Sequence, residues 1–167
     1  MSRRSPKLES PLGVDPQDQK AVELAYRAIS TRERTVAEVR GFLERKEVEA
    51  ASIDYALAEL AEAGAVDDAR FARLFAEDKR LIERWGNERI ARELNRRGIS
   101  AELIEATTAG QDREGELQTA LELLVEKVAP PQSDRERDKA WRMLVRKGYE
   151  PELAYEAVRV RAGQSVD

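Results

Sequence analysis

Cysteine and histidine are both missing from this 167-residue sequence. Without cysteine there is no disulfide framework, thiolate nucleophile, zinc finger or iron–sulfur ligation. Without histidine there is no imidazole base, no serine–histidine triad and no imidazole-bound metal. Aromatics make up only 5% of the chain, too few for strand-rich cores. Uninterrupted apolar runs are only a few residues long, far short of a membrane span. The two arginines near the start are not followed by an apolar stretch, so no signal peptide is expected and the compartment is expected to be the cytoplasm. No phosphate-binding loop of the G-x-x-x-x-G-K-[ST] type occurs, which argues against ATP hydrolysis by this chain. Carboxylates, lysines and hydroxyls remain, and they form no recognisable catalytic cluster. The sequence therefore reads as a binding protein rather than an enzyme, with no cofactor and no metal.

What is present is charge and helix-forming residues. Charged side chains are 37% of the chain and the net charge is −4. Alanine, glutamate, arginine and leucine are abundant, and these side chains lose little freedom in a helix. The sequence predicts an all-α protein.

Helix signals recur along the chain. Asp15-Pro16 is a capping aspartate followed by proline in the first helical position, and Val22, Tyr26 and Ile29 are predicted to share the buried face behind it. Thr35-x-x-Glu38 is a capping box before Val36, Val39 and Leu43. Ile53, Leu57 and Leu60 recur in a third helix that stops at Gly64. Asp67-Asp68 opens a longer helix with Phe71, Leu74, Phe75, Leu81 and Ile82, broken at Trp85-Gly86-Asn87. Carboxylates suit that helix start because they complement the dipole; a metal site there would need further ligands that the sequence does not offer. Ile90 and Leu94 precede Gly98, and Ser100 caps a helix with Leu103 and Ile104 that ends near Gly110. Asp112 opens a helix with Leu117, Leu121, Leu124 and Val128, closed by Pro130-Pro131. Ser133-x-x-Glu136 precedes Trp141, Leu144 and Val145. Gly148 stops that helix, and Glu150-Pro151 starts the last, with Leu153, Ala157 and Val158.

These nine helices repeat. With Leu43, Leu94 and Leu144 aligned, Lys46-Glu47-Val48 falls on Arg97-Gly98-Ile99 and on Lys147-Gly148-Tyr149. Ile53, Ile104 and Ala154 then coincide as well. The pattern predicts a tandem array of three-helix units over 15–64, 65–110 and 111–162, each too small to bury a full core alone. Residues 1–14 and 163–167, without periodicity, are expected to be flexible tails. Arrays of this kind are elongated and suit a groove or filament better than a small-ligand pocket.

The charge is unevenly placed. Arg84, Arg89, Arg92, Arg96 and Arg97 face only Glu88 and Glu93 between positions 84 and 98, a net of +3. Arg135, Arg137, Lys139, Arg142, Arg146 and Lys147 face only Glu136 and Asp138 between 135 and 147, a net of +4. Positions 99–126 hold seven acidic residues, Glu116, Glu122 and Glu126 among them, against Arg113 alone. Arg89, Arg92 and Arg96 recur at helical spacing, as do Arg135, Lys139, Arg142 and Arg146. Arg92 aligns with Arg142, and Arg96 with Arg146, between the two units. Single charges of this kind are ordinarily a solvated face. Two stripes at equivalent positions form a band able to follow a phosphate backbone or an acidic protein surface. Among the aromatics, Phe71, Phe75 and Trp141 read as core, and Trp85 stays open between core packing and base stacking.

One stretch resembles a known family. Gly64-Ala65-Val66-Asp67-Asp68 with Phe71-Ala72, then Trp85-Gly86-Asn87-Glu88-Arg89-Ile90, Glu93-Leu94 and Arg96-Arg97-Gly98-Ile99, is similar to the central signature of the RecX family, bacterial regulators of the RecA recombinase. Ser30 to Leu43 resembles that family's first unit, and Arg146-Lys147-Gly148-Tyr149 its third. The resemblance implies three three-helix units in a curved molecule that lodges in the groove of the RecA–DNA filament. There it would restrain ATP hydrolysis, strand exchange and coprotease activity, and some members bind DNA directly. The chain departs from the pattern at Glu47, where the other units carry glycine. The expected partner is thus the RecA filament, with single- or double-stranded DNA as a further contact, and the chain is expected to be a monomer when free. Arg84, Arg89, Arg92, Arg96, Arg97, Arg135, Lys139, Arg142, Arg146 and Lys147 are the candidate contact residues. The residues themselves leave two other readings open: a stand-alone DNA-binding protein with helix-turn-helix-like units, and a helical adaptor whose charges are merely solvated.

Overall fold

Nine helices and no strands make up the described part of the chain, residues 13–163 of a computed structural model. They are α1 (Pro16–Ser30), α2 (Val36–Arg45), α3 (Ala50–Glu62), α4 (Asp68–Glu83), α5 (Asn87–Arg96), α6 (Ala101–Ala109), α7 (Arg113–Lys127), α8 (Asp134–Lys147) and α9 (Pro151–Gly163). The predicted tails lie almost wholly outside the described residues, and Gly163 is the last residue of α9. No described helix is long and apolar enough to cross a membrane.

Side-chain caps set the helix starts where the sequence signals place them. Asp15 accepts from the Gln17 N–H at 2.9 Å, Ser100 from Leu103, Asp112 from Gly115 and Ser133 from Glu136. Each satisfies one of the backbone donors that a helix start leaves without a partner. The Thr35–Glu38 box is complete in both directions: Thr35 Oγ1 accepts from the Glu38 N–H at 3.2 Å, and Glu38 Oε2 from the Thr35 N–H at 3.0 Å. Thr35 is fully buried. Replacing it by alanine strands a donor out of reach of water, and Thr35→Ala is expected to cost about 1–2 kcal/mol in chemical denaturation.

The repeat is written in the backbone as well. Glu47, Gly98 and Gly148 all take left-handed φ values, of 59°, 80° and 97°. In each case the next residue donates back to the aligned leucine: Val48 to Leu43, Ile99 to Leu94 and Tyr149 to Leu144, at 3.1, 3.0 and 3.2 Å. This is one helix-ending motif used three times, with an apolar residue beyond the turn packed over the leucine inside it. Glu47 adopts the left-handed conformation although it is not glycine, which is why the repeat survives the exchange.

The chain divides into two compact units, one reaching to Phe71 and one running from Ala72. In the first, α1, α2 and α3 pack together around Ala21, Ala25, Val39, Leu43, Ile53 and Leu60. The fully buried stripe of α1 is Ala21, Ala25 and Ala28, while Val22 and Ile29 are half-buried against the same core. Alanine lets the backbones approach closely, and Tyr26 is left exposed. The start of α4 is tied in by its carboxylates. Asp67 accepts from the Arg70 N–H at 2.9 Å, and Asp68 accepts from the Val36 N–H at 2.9 Å. Burial pushes the Asp68 carboxyl above its ordinary range. No cluster of three or more metal-ligating side chains occurs among the described residues.

The second unit contains what the sequence divides into a second and a third three-helix segment. One core joins α7, α8 and α9 through Leu123, Leu124, Leu144, Tyr149, Leu153 and Val158. The inward face of α7 is Glu116, Ala120, Leu123 and Leu124, so Leu117, Leu121 and Val128 are only half-buried. On α4, Leu74, Leu81 and Ile82 are exposed rather than core.

Candidate functional site

The two basic helices meet end to end inside the second unit. The N–H groups of Gly86 and Glu88, at the start of α5, donate to the carbonyls of Lys147 and Gly148, at the end of α8, at 2.9 and 3.0 Å. A helix start has spare donors and positive potential, while a helix end has spare acceptors and negative potential. Each end therefore satisfies the other. The approach is so close that neither glycine can carry a side chain. A Cβ on Gly86 would lie 2.3 Å from the Gly148 carbonyl oxygen, and one on Gly148 would lie 2.2 Å from Arg89 Cβ.

Around that contact the chain is tied by side chains. Tyr149 is fully buried, and its hydroxyl donates to the Arg84 carbonyl at 2.8 Å. Lys147 Nζ donates to the Glu83 carbonyl at 2.9 Å. Arg84 itself sits at a left-handed φ of 55°, a conformation that exposes its carbonyl to Tyr149 and turns its guanidinium to α7. There it pairs with Glu122 at 3.5 Å and Glu126 at 3.0 Å, and the bond to Glu126 raises its pKa. Trp85 is buried, its edge toward Phe75 and the Arg89 guanidinium 4.0 Å over its ring. It is thus a packing residue and has no face free for a base.

A polar network backs the same junction. Glu116 accepts from the Asn87 backbone N–H at 2.8 Å and from Asn87 Nδ2 at 3.2 Å. Arg80 donates to Asn87 Oδ1 at 2.8 Å and to the Thr107 carbonyl at 3.2 Å. Burial lowers the Arg80 pKa and raises that of Glu116, as expected for ions withdrawn from water.

The predicted contact residues divide accordingly. Arg84, Arg89 and Lys147 are half-buried and hold the junction, with Arg89 Nη1 donating to the Arg146 carbonyl at 3.4 Å. Arg96 is exposed and pairs with Glu93, which holds the Glu93 carboxyl below its ordinary range. Arg97 is half-buried at the end of α5. Arg142 is exposed and pairs with Asp138 at 2.9 Å. Arg92, Arg135, Lys139 and Arg146 are exposed, and their side chains have no ion pair or hydrogen bond among the described residues. These four carry positive charge outward on a frame that Arg84, Arg89 and Lys147 lock.

Gly86, Asn87, Arg80, Glu116 and Tyr149 escape the sequence reading as parts of the site. The Trp85-Gly86-Asn87 signal is visible in the sequence, but as a helix break. Arg80 lies seven residues before Asn87, but Glu116 lies 29 residues beyond it and Gly148 lies 62 beyond Gly86, and no local spacing joins them.

Two family models match, the second three-helix domain of RecX over residues 67–107 and the first over 21–60. The regulatory protein RecX of Deinococcus radiodurans is 34% identical over 157 residues, spanning 92% of this chain and 74% of that protein. The chain belongs to the RecX family. The regulatory protein RecX of Amycolatopsis mediterranei is 30% identical over 154 residues, spanning 89% of this chain and 88% of its own length. The crystal structure of RecX from Lactobacillus salivarius has the same fold, with a TM-score of 0.77 at 16% identity over 87% of this chain and 96% of that one. The junction between α5 and α8 is therefore a feature of a RecX-family chain whose relatives are regulatory proteins, and the second RecX model covers its α5 side.

Proposed function

We propose that this chain binds the RecA filament assembled on DNA and restrains its ATP hydrolysis, strand exchange and coprotease activity. The observation that supports this is the set of outward, uncompensated cations Arg92, Arg135, Lys139 and Arg146, on two helices held end to end by Gly86 and Gly148. Paired surface charges contribute little to a partner's attraction, whereas unpaired ones on a rigid frame present a fixed field to a polyanion. A ligand shifts a conformational equilibrium only through different affinities for its states. A frame that fits one spacing of filament subunits or phosphates favours that state and opposes the motion that hydrolysis requires.

The test is DNA-dependent ATPase activity of purified RecA titrated with this chain. Inhibition is expected at low salt and should weaken as salt is raised. Arg135→Glu, Lys139→Glu and Arg146→Glu together should lower the inhibitory potency at least ten-fold, while Arg27→Glu on α1 should not. The proposal is rejected if excess protein leaves the ATPase unchanged at low salt, or if the triple reversal inhibits as well as the parent.

A further inference from the structure

Beside the basic face of α8, the segment that joins α7 to α8 leaves a cleft of about 490 Å³. Its floor is apolar, made by Val128, Ala140 and Met143, all packed against the core of the unit. The floor is also fixed from below, since Arg161 donates to the Val128 carbonyl at 3.0 Å. Its rim carries Lys127, Lys139 and Arg146. All three are exposed, and none has an ion pair or side-chain hydrogen bond among the described residues. The one acid in the lining, Glu136, is engaged, accepting from the Gln132 N–H at 2.7 Å.

An apolar floor and a cationic rim ask for different things from one ligand. The floor gains only from a side chain that leaves water, and the rim only from anions. Methionine adapts its shape to whatever apolar group arrives. Nucleic acid supplies the anions but meets an aliphatic floor instead of an aromatic stacking surface; no aromatic residue lines the cleft. We infer that this cleft takes a short acidic peptide segment of the protein partner, one large apolar side chain seated on Met143 and the flanking carboxylates on Lys127, Lys139 and Arg146. The inference deepens the proposed function and rests on it for the partner being a protein.

Fluorescence anisotropy tests it with the full chain and no recombinase present. The probe is a fluorescein-labelled heptapeptide with a central leucine between three glutamates on either side. A second peptide has serine in place of leucine. At physiological salt the leucine peptide is expected to bind at least ten-fold more tightly than the serine peptide. Lys139→Glu with Arg146→Glu should weaken both peptides at least ten-fold. Met143→Gln should bring the two peptides to equal affinity while leaving the helical circular dichroism unchanged. Equal binding of the two parent peptides would overturn the inference, as would insensitivity to the charge reversals. Displacement of the leucine peptide by a single-stranded oligonucleotide at lower concentration than by unlabelled peptide would assign the cleft to nucleic acid instead, and overturn it as well. Absence of peptide binding with ATPase inhibition intact overturns this inference alone. Peptide binding with no effect on the ATPase overturns the filament reading alone.

Discussion

Gly148→Ala is expected to destabilise the second unit by about 3 kcal/mol, lowering its thermal midpoint by roughly 12–24 °C. Two costs add. The left-handed φ of 97° charges any L side chain roughly 1–2 kcal/mol. The new Cβ would also stand 2.2 Å from Arg89 Cβ and 2.6 Å from the Arg89 nitrogen. The first is the root of a side chain and the second is backbone, so neither can swing aside, and relief requires the start of α5 to move away from the end of α8. Two positions separate the terms. Gly64 has a φ of 68° and nothing within 4 Å of a Cβ, so Gly64→Ala should show only the backbone cost, about 1 kcal/mol. Glu47 occupies the equivalent turn of the first repeat at 59° with its side chain in solvent. Left-handed backbone alone is thus tolerated in this fold, and the close approach of α5 is what excludes a side chain at 148. Calorimetry or circular dichroism reads the midpoints. If Gly148→Ala melts no lower than Gly64→Ala, the junction does not hold α5 to α8. Because α5 and α8 would keep their own helices, the same variant should also lose ATPase inhibition at temperatures where it remains folded.

Helix number, caps and repeat register were legible in the sequence because each rests on residues within one turn of one another. Thr35 with Glu38, Asp112 before Gly115, and the glycines at 98 and 148 all act locally. The inward faces were less legible where alanine forms them. Ala21, Ala25 and Ala28 bury α1 by letting it come close, and a search for large apolar residues picks Tyr26 on the opposite side. Of the candidate site, the charge stripes were legible as stripes, yet their division was not. Arg84 and Arg142 look alike in sequence. One is bound to Glu122 and Glu126, more than thirty residues away, and the other to Asp138 one turn back. Arg146, at the same spacing, has no such acid within reach. The acidic run over 99–126 reads as the opposite of a binding surface. Part of it is instead the counter-charge that fixes the basic helices: Glu122 and Glu126 hold Arg84, and Glu116 holds Asn87 at the first turn of α5.

That role of Glu116 carries the second large effect. Glu116→Ala removes the acceptor of the Asn87 backbone N–H and the neighbouring negative charge of Arg80, both withdrawn from water. The stranded buried donor is expected to cost about 1–3 kcal/mol. Glu116→Gln keeps an acceptor and drops the charge, and here pH decides the outcome. Burial raises the folded Glu116 pKa above 4.5, its ordinary value. A carboxyl raised on folding binds its proton more tightly in the native state. Its contribution to stability is complete below about pH 4.5 and is lost as pH rises through the folded value. Wild type and Glu116→Gln should therefore be close in stability at pH 4.5, with glutamine gaining relative to wild type toward pH 7. Asp68, the other carboxyl raised by burial, is present in both proteins and cancels from the difference. Both tryptophans of the sequence, Trp85 and Trp141, lie in the second unit. Urea unfolding followed by tryptophan fluorescence thus reads the unit that contains Glu116. If Glu116→Gln instead loses ground to wild type between pH 4.5 and 7, attraction to Arg80 outweighs burial, and the network is an ion pair first and a hydrogen-bond scaffold second.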